Sequence, residues 1–248
     1  MPQCAGIILV GNEILSGKVT DANAAYLCRE LRALGVDVRR IAVIPDDVDE
    51  IAREVAACSL AYDVVFTSGG VGPTHDDVTI EGVARAMGVR VLRHPALLAE
   101  LERYYRERLG ATATLAEPHL KMAEVPEGSQ LVADGNVRFP TILMRNVYIL
   151  PGVPEIFRQK FDALRHRFQD QPFYLRQVFV RVAESALAPY LNDLLAAFPA
   201  LLLGSYPEFS NPEYRVKVTL ESRDAAYLEG ALTVLLARLP NGAIVRVG

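Results

Sequence analysis

A glycine-rich segment followed by two aspartates is the part of the sequence best suited to chemistry. Residues 67–79 read TSGGVGPTHDDVT, between a β-branched apolar run and apolar residues at helical spacing. This pattern predicts a strand, a tight turn and a helix. Glycines lack a Cβ, so the backbone N–H groups of such a turn can approach a phosphate closely. The three glycines are Gly69, Gly70 and Gly72.

The two acids that follow, Asp76 and Asp77, oppose anion binding and therefore indicate a metal ion or acid–base chemistry. A simpler interpretation is that the glycines only shape the turn and that one aspartate caps the helix, which would stabilise its start by about 1 kcal/mol. Thr79 is a second candidate for that cap. Three glycines, a proline and two acids exceed what a turn requires, so we favour function for the segment; for either aspartate alone both interpretations stay open.

The overall composition is typical of a globular protein. The chain has 248 residues, 51% of them hydrophobic, and a formal net charge of −4. Acids and bases are interspersed without a basic run, so nucleic acid is not an expected partner. The longest apolar stretches fall far short of the roughly 20 residues that span a bilayer, and no secretory signal precedes them, so membrane association is not expected either.

Three separated cysteines, Cys4, Cys28 and Cys58, form no metal-type pair. Cys28 and Cys58 fall on apolar stripes of predicted helices and are interpreted as buried structural thiols. An odd cysteine count without a signal peptide is typical of a reducing compartment, which predicts the cytoplasm.

The first part of the chain alternates predicted strands and helices, with strands at residues 5–10, 38–44 and 64–66. Asp21 is expected to cap the first helix, and Asp46 or Asp47 the second. This order predicts an α/β fold of three layers, a parallel sheet with helices on both faces. Ligands of such folds bind where the strands end. Three loops leave that edge, each with acids, and we expect them to converge: Glu13; Asp46 and Asp47; Asp76 and Asp77.

The rest of the chain predicts a second, smaller domain. A helix from Pro95, an irregular stretch at residues 117–128 and strands at residues 141–144 and 147–150 complete the first domain, with a strand–turn–helix at LPGVPEIF. Beyond a linker, four shorter strands and two helices predict a small α+β module. The expected domains are therefore residues 1–168 and 173–248. The second has neither a GxxG loop nor marked basic character, which argues against RNA binding.

Four motifs occur in a fixed order: GNEILSGKVTDANAAYLCRELRALGV, IPDD, TSGGVGPTHDDVT and LPGVPE. Together they resemble the molybdopterin-binding-like (MoaB/Mog-like) domain shared by molybdenum-cofactor biosynthesis proteins and CinA-type competence/damage-inducible proteins. They are also similar to the amino-terminal domain of eukaryotic FAD synthases. The resemblance extends from Cys4 to about Phe168, and residues 173–248 resemble the KH-like module of CinA proteins.

The resemblance implies different activities in different branches. Molybdenum-cofactor members bind molybdopterin, whereas the CinA and FAD-synthase domains are associated with metal-dependent pyrophosphate hydrolysis of ADP-ribose or FAD. Asn12 stands where the family usually has Asp, which removes a charge from the first loop, and residues 134–146 look more like the FAD-synthase branch. No amidase or synthetase domain follows Gly248, so neither of those activities is expected.

We therefore predict a metal-dependent nucleotide pyrophosphatase that acts on FAD or ADP-ribose. The alternative is a binding protein that holds molybdopterin or another small nucleotide without turnover. Asp77 and Asp46 are the predicted catalytic residues, and Asp77, Asp76 and Asp46 the predicted ligands of Mg²⁺, Mn²⁺ or Co²⁺. The predicted substrate-binding residues are Gly69, Gly70, Gly72, Thr74, Asn23 and Glu13. By analogy with such domains we also expect a homo-oligomer.

Overall fold

The computed structural model describes residues 3–110, 114–135 and 137–248, which form two compact units, Met1–Asp170 and Gln171–Gly248. The strands of the first unit are β1 (Cys4–Val10), β2 (Asp37–Ile44), β3 (Val64–Ser68), β4 (Val91–Arg93), β5 (Glu124–Pro126), β6 (Gln130–Val132), β7 (Thr141–Met144) and β8 (Val147–Leu150). Its helices are α1 (Asn12–Leu15), α2 (Asn23–Ala33), α3 (Val48–Ala61), α4 (Thr79–Met87), α5 (Pro95–Leu109), α6 (Glu117–Lys121) and α7 (Pro154–Leu164).

A six-stranded sheet in the order β2-β1-β3-β8-β7-β6 forms the centre of the first unit. The first four strands are parallel, and β7 and β6 add an antiparallel edge. Only Arg145 and Asn146 separate β7 from β8, and so short a connection requires an antiparallel pair. The parallel α/β sheet that the sequence predicts is confirmed.

Strand β1 shows why its sequence is apolar without interruption. Ile7 and Leu9 pack on one face of the sheet, in a core that includes residues of α2 and α7. Ile8 and Val10 pack on the other face with residues of α3 and α4. Successive side chains of a strand point to opposite faces, so a strand covered on both faces is apolar at every position.

The helix starts identify which aspartates act as caps. Asp21 accepts hydrogen bonds from the Asn23 and Ala24 N–H groups at the start of α2, as predicted. Asp47, not Asp46, caps α3, with its Oδ1 2.9 Å from two first-turn nitrogens. Helix α4 begins after Val78 without a side-chain cap, so the capping interpretation of Asp76, Asp77 and Thr79 is wrong.

The prediction of an irregular stretch at residues 117–128 is also wrong. One turn of helix, α6, is followed by β5, which pairs with β4 as a separate two-stranded antiparallel sheet. Each of these strands has three residues, too few for a period-two pattern. Their pairing over some 30 residues of sequence is a tertiary contact that local spacing does not encode.

The second unit is an α+β domain. Its strands are β9 (Tyr174–Val180), β10 (Leu202–Pro207), β11 (Val216–Ser222) and β12 (Ile244–Val247), in the antiparallel order β10-β11-β9-β12. Helices α8 (Glu184–Ala197) and α9 (Ala225–Arg238) share one apolar core with alternate residues of β9 and β11. Such alternation is typical of a sheet covered on one face. Across the described ranges of both units, no helix has the length and apolar character needed to cross a membrane.

Candidate functional site

A cleft of about 500 Å³ opens at the carboxyl ends of β1, β3 and β8. Glu13 enters it from the loop after β1, residues 69–72 and Asp77 from the loop after β3, and residues 151–153 from the loop after β8. We call it the glycine cleft. Parallel strands end at the same edge of a sheet, so loops distant in sequence meet there.

The glycine turn requires glycine for steric reasons. Gly69 has φ 103° and Gly70 has φ 63°, values that side-chain-bearing residues rarely adopt. A Cβ on Gly69 would lie 2.3 Å from the Val10 carbonyl oxygen, and one on Gly70 would lie 2.4 Å from Thr79 Oγ1. Close approach of β1 and α4 to the turn therefore explains both glycines before any ligand is considered.

The amides of the turn divide into two groups. The Gly69 N–H donates to the Leu150 carbonyl at 3.2 Å, so it extends the pairing between β3 and β8 and does not have the phosphate-binding role predicted for it. Within the described part of the chain, the N–H groups of Gly70 and Gly72 have no protein acceptor. Both residues line the glycine cleft. These two amides remain for an anionic ligand.

Asp77 lies beside them in a fixed orientation. Its Oδ2 accepts hydrogen bonds from the Thr74 N–H at 2.8 Å and from the Thr74 hydroxyl. The same oxygen would lie 2.7 Å from a Cβ placed on Gly72. Thr74 is not part of the cleft wall, and its backbone and hydroxyl donors hold Asp77. Its predicted contact with the substrate stays a prediction.

The other predicted carboxylates lie elsewhere. Asp46 accepts from the Asn12 N–H at 2.8 Å, at the start of α1. The Asp76 side chain is 57% exposed and lies 3.9 Å from the still more exposed His75. The Thr74 side chain lowers the pKa of Asp76, and the nearby His75 and Lys121 act in the same direction. Neither aspartate lines the glycine cleft. Among the described residues, no three His, Cys, Asp or Glu side chains come together as a metal site, so Asp46, Asp76 and Asp77 are not a preassembled ligand set.

Asn23 has a role in shaping the cleft. It is 3% exposed, and its Nδ2 donates to Ser68 Oγ at 2.9 Å and to the Gly152 carbonyl at 2.8 Å. The side chain therefore ties the end of β3 to the turn after β8. Its buried Oδ1 has no donor among the described residues, an arrangement that costs free energy unless a water or ligand satisfies it.

Lys121 is a functional candidate that the sequence interpretation missed. Its Nζ donates to the Thr74 carbonyl, and it lines a hollow of about 80 Å³ together with Gly72 and Asp77. A cation therefore lines the same hollow as Asp77. Because Lys121 ends α6, inside the stretch predicted to be irregular, no local pattern distinguished it from other surface lysines.

A second cavity of about 340 Å³ adjoins the glycine cleft. The two share four wall residues, Val71, Met122, Pro151 and Ile156. The wall that belongs to the second cavity alone is mainly apolar and aromatic, and includes Leu97, Leu101, Tyr104, Tyr105, Phe139 and Lys160. We call it the aromatic cavity.

Lys160 is the one cationic side chain among the described residues of that wall. It is 9% exposed, and its Nζ donates to the carbonyls of Phe139 at 2.7 Å and Pro140 at 2.9 Å. Burial disfavours the charged amine and lowers the pKa of Lys160 to about 8. The protein therefore buries an amine, whose charged form is unfavourable there, at the edge of an apolar space.

Fold and site together define an α/β protein with a ligand cleft at the carboxyl edge of its parallel strands. The sequence profile described as "Probable molybdopterin binding domain" matches residues 6–169, and the one described as "FAD synthase, middle domain" matches residues 172–248. The chain belongs to the molybdopterin-binding domain family. The resemblance found in the four sequence motifs is thereby confirmed.

Two relatives are similar to nearly the whole chain. A protein named "Probable FAD synthase" from Caenorhabditis elegans is 35% identical over 259 residues, which cover 95% of this chain and 50% of the relative. The chain thus spans about half the length of that relative. A protein of Archaeoglobus fulgidus is 36% identical over 91% of this chain and 93% of its own length.

A solved structure shares the fold of most of the chain. The protein CinA from Thermoplasma acidophilum, described as having unknown function, has a TM-score of 0.60 and 34% sequence identity. The match covers 67% of this chain and 98% of that protein.

Proposed function

We propose that this protein hydrolyses the phosphoanhydride bond of a nucleotide diphosphate such as FAD or ADP-ribose, with the help of a divalent metal ion. The observation that carries the proposal is the pair of unbonded amides, on Gly70 and Gly72, beside the fixed carboxylate of Asp77. The names of the FAD synthase relatives favour FAD as the nucleotide.

The turn supplies the binding groups for the diphosphate. The Gly70 and Gly72 N–H groups donate to phosphate oxygens, and the uncapped start of α4 adds its positive end nearby. Lys121 places an ammonium group in the adjoining hollow, which Gly72 and Asp77 also line. These contacts hold the anion without any rearrangement of the sheet.

Asp77 accepts the proton of the attacking water. Thr74 occupies Oδ2 with two hydrogen bonds, which leaves Oδ1 to orient the water. A general base is effective when a second group fixes its orientation in this way. The oxygen of water bonds to one phosphorus while the bridging oxygen leaves with the other phosphate, so FAD gives AMP and FMN.

The donor set fits a hard divalent cation. Glu13 and Asp77 both present carboxylates to the glycine cleft. Mg²⁺ is usually held by one or two carboxylates together with substrate phosphates and water, so a third protein carboxylate is not required. When bound, such an ion polarises a phosphoryl oxygen and offsets the repulsion between the carboxylates and the substrate.

The proposal is tested by measuring AMP release from FAD and ADP-ribose in the presence of Mg²⁺, Mn²⁺ or Co²⁺. We expect turnover with at least one metal, and a loss of about a hundredfold or more in Asp77→Asn, as for removal of a general base. Asp193→Asn, an exposed aspartate of α8, is the matched control and should keep full activity. Absence of AMP with all three metals contradicts the proposal.

The rival is a binding protein that holds molybdopterin or a nucleotide without turnover. It is favoured by one observation, that the described residues contain no preassembled set of three metal-ligating side chains. Calorimetry with molybdopterin, FAD and ADP-ribose, with and without metal, distinguishes the two functions. Binding without product formation supports the rival.

A further inference from the structure

We propose that the aromatic cavity binds the isoalloxazine ring of a flavin, with Lys160 donating a hydrogen bond to a ring carbonyl. This inference rests on the proposed function, because it names the substrate class of the same site: a diphosphate that carries a flavin. The argument comes from the position of the cavity next to the glycine cleft, from its lining and from the Lys160 amine.

The shared wall makes the two spaces neighbours. Val71 belongs to the glycine turn itself, and Met122, Pro151 and Ile156 also line both spaces. A ligand whose diphosphate lies on the Gly70 and Gly72 amides therefore has the aromatic cavity next to it, within reach of its attached group past these four residues. The volume of about 340 Å³ falls in the range of small-molecule sites.

The lining suits a flat ring system. Tyr104, Tyr105 and Phe139 contribute three half-buried aromatic side chains to one part of the wall. The Tyr104 ring packs edge-on against Phe139 at 5.7 Å, and the Arg138 and Arg108 guanidinium groups lie over it at 4.8 and 5.3 Å from the centroid. These contacts fix the orientation of the Tyr104 ring, so the three rings together form a preformed aromatic wall for contact with a planar heterocycle.

Lys160 provides the polar contact. A charged lysine has three N–H donors, and the Phe139 and Pro140 carbonyls take two of them. The third finds no acceptor among the described residues. A buried ammonium group without its full set of partners is costly, so a ligand oxygen at this position is favoured.

The combination distinguishes a flavin from other rings. Isoalloxazine has a dimethylbenzene edge that needs apolar walls and an opposite edge with two carbonyl oxygens. Adenine carries hydrogen-bonding nitrogens around most of its perimeter, and a pterin has a carbonyl but no apolar benzene ring. The aromatic cavity, apolar apart from the Lys160 amine and the tyrosine hydroxyls, matches the flavin.

The test compares the wild type with Lys160→Met and Tyr104→Leu. Each protein, as the whole chain, is titrated with FMN, riboflavin and neopterin, and binding is measured by the quenching of ligand fluorescence. Loss of a hydrogen bond from a charged donor should weaken FMN binding about tenfold or more in Lys160→Met. Loss of the aromatic contact should weaken it about fivefold in Tyr104→Leu. Lys217→Met, which removes a lysine of the second unit, is the matched control and should bind FMN like the wild type.

Tyr104 is only half-buried, so Tyr104→Leu is expected to fold. It therefore still tests the inference if Lys160→Met does not fold. Equal FMN affinity in the folded variants and the wild type would overturn the inference, as would failure of FMN to bind at millimolar concentration or equal affinity for neopterin. Because the titration needs no turnover, it separates this inference from the proposed hydrolysis. Where AMP is released, Lys160→Met should raise KM for FAD and leave KM for ADP-ribose unchanged.

Discussion

Thr74 illustrates how a residue next to a site acts through another residue. Sequence reasoning placed it among the substrate contacts, but both of its donors are directed at Asp77 Oδ2. Thr74→Ala keeps the backbone donor and removes the hydroxyl. We expect a fall of about tenfold in the kcat of AMP release with little change in KM, since an oriented base contributes mainly to the chemical step.

Thr74→Ser is the control for that prediction. It retains the hydroxyl and should restore most of kcat. A change in KM alone, equal in the alanine and serine variants, would show that Thr74 contacts the substrate after all.

Lys160 makes flavin binding dependent on pH. Below the pKa of about 8 the amine is charged and its third N–H is available to a ligand. Above it, the neutral amine keeps two N–H groups for the Phe139 and Pro140 carbonyls and turns a lone pair toward the ligand. FMN affinity should therefore fall as the pH rises through about 8.

Fluorescence titrations between pH 6 and 9 measure this dependence. Lys160→Met should give a flat profile. A wild-type profile that is equally flat would argue against a contact between the amine and the flavin.

At the scale of elements, neighbouring acids in one loop have separate tasks. Asp47 caps α3 with two first-turn hydrogen bonds, whereas Asp46 holds the start of α1, which carries Glu13. Asp47→Ala should lower the free energy of unfolding by about 1 kcal/mol, the usual cost of losing a cap, without changing AMP release. Chemical denaturation and the AMP assay measure the two quantities.

Asp46→Ala gives the contrasting result. Loss of its hydrogen bond to the Asn12 amide loosens the start of α1. Glu13 is then no longer held in place, so the rate of AMP release should fall. If Asp46→Ala kept full AMP release and Asp47→Ala lost it, the acid in this loop that matters for activity would be Asp47 and not Asp46.

At the scale of the whole molecule, each unit has its own apolar core. A domain with a closed core can fold alone. A fragment of residues 171–248 should therefore give a cooperative thermal transition by circular dichroism, and a fragment ending at residue 170 should still release AMP. A non-cooperative transition in the smaller fragment would contradict the division.

The KH-like character of the second unit and the homo-oligomeric state stay predictions. Light scattering on the intact chain measures the oligomeric state.

The sequence alone determined the order of the longer strands and helices, the α/β class and the glycine turn. These follow from local rules: apolar periodicity, the stereochemistry of glycine and the side chains that cap helices. It also led to Asp77 and Glu13, because acids after parallel strands gather at one edge. Tertiary structure decided what each candidate does. Asp46 and Asp76 do not line the cleft, the Gly69 N–H donates to a carbonyl of β8, and Thr74 holds Asp77. Lys121 and Lys160 become part of the site only through contacts between segments distant in sequence, which no local spacing records.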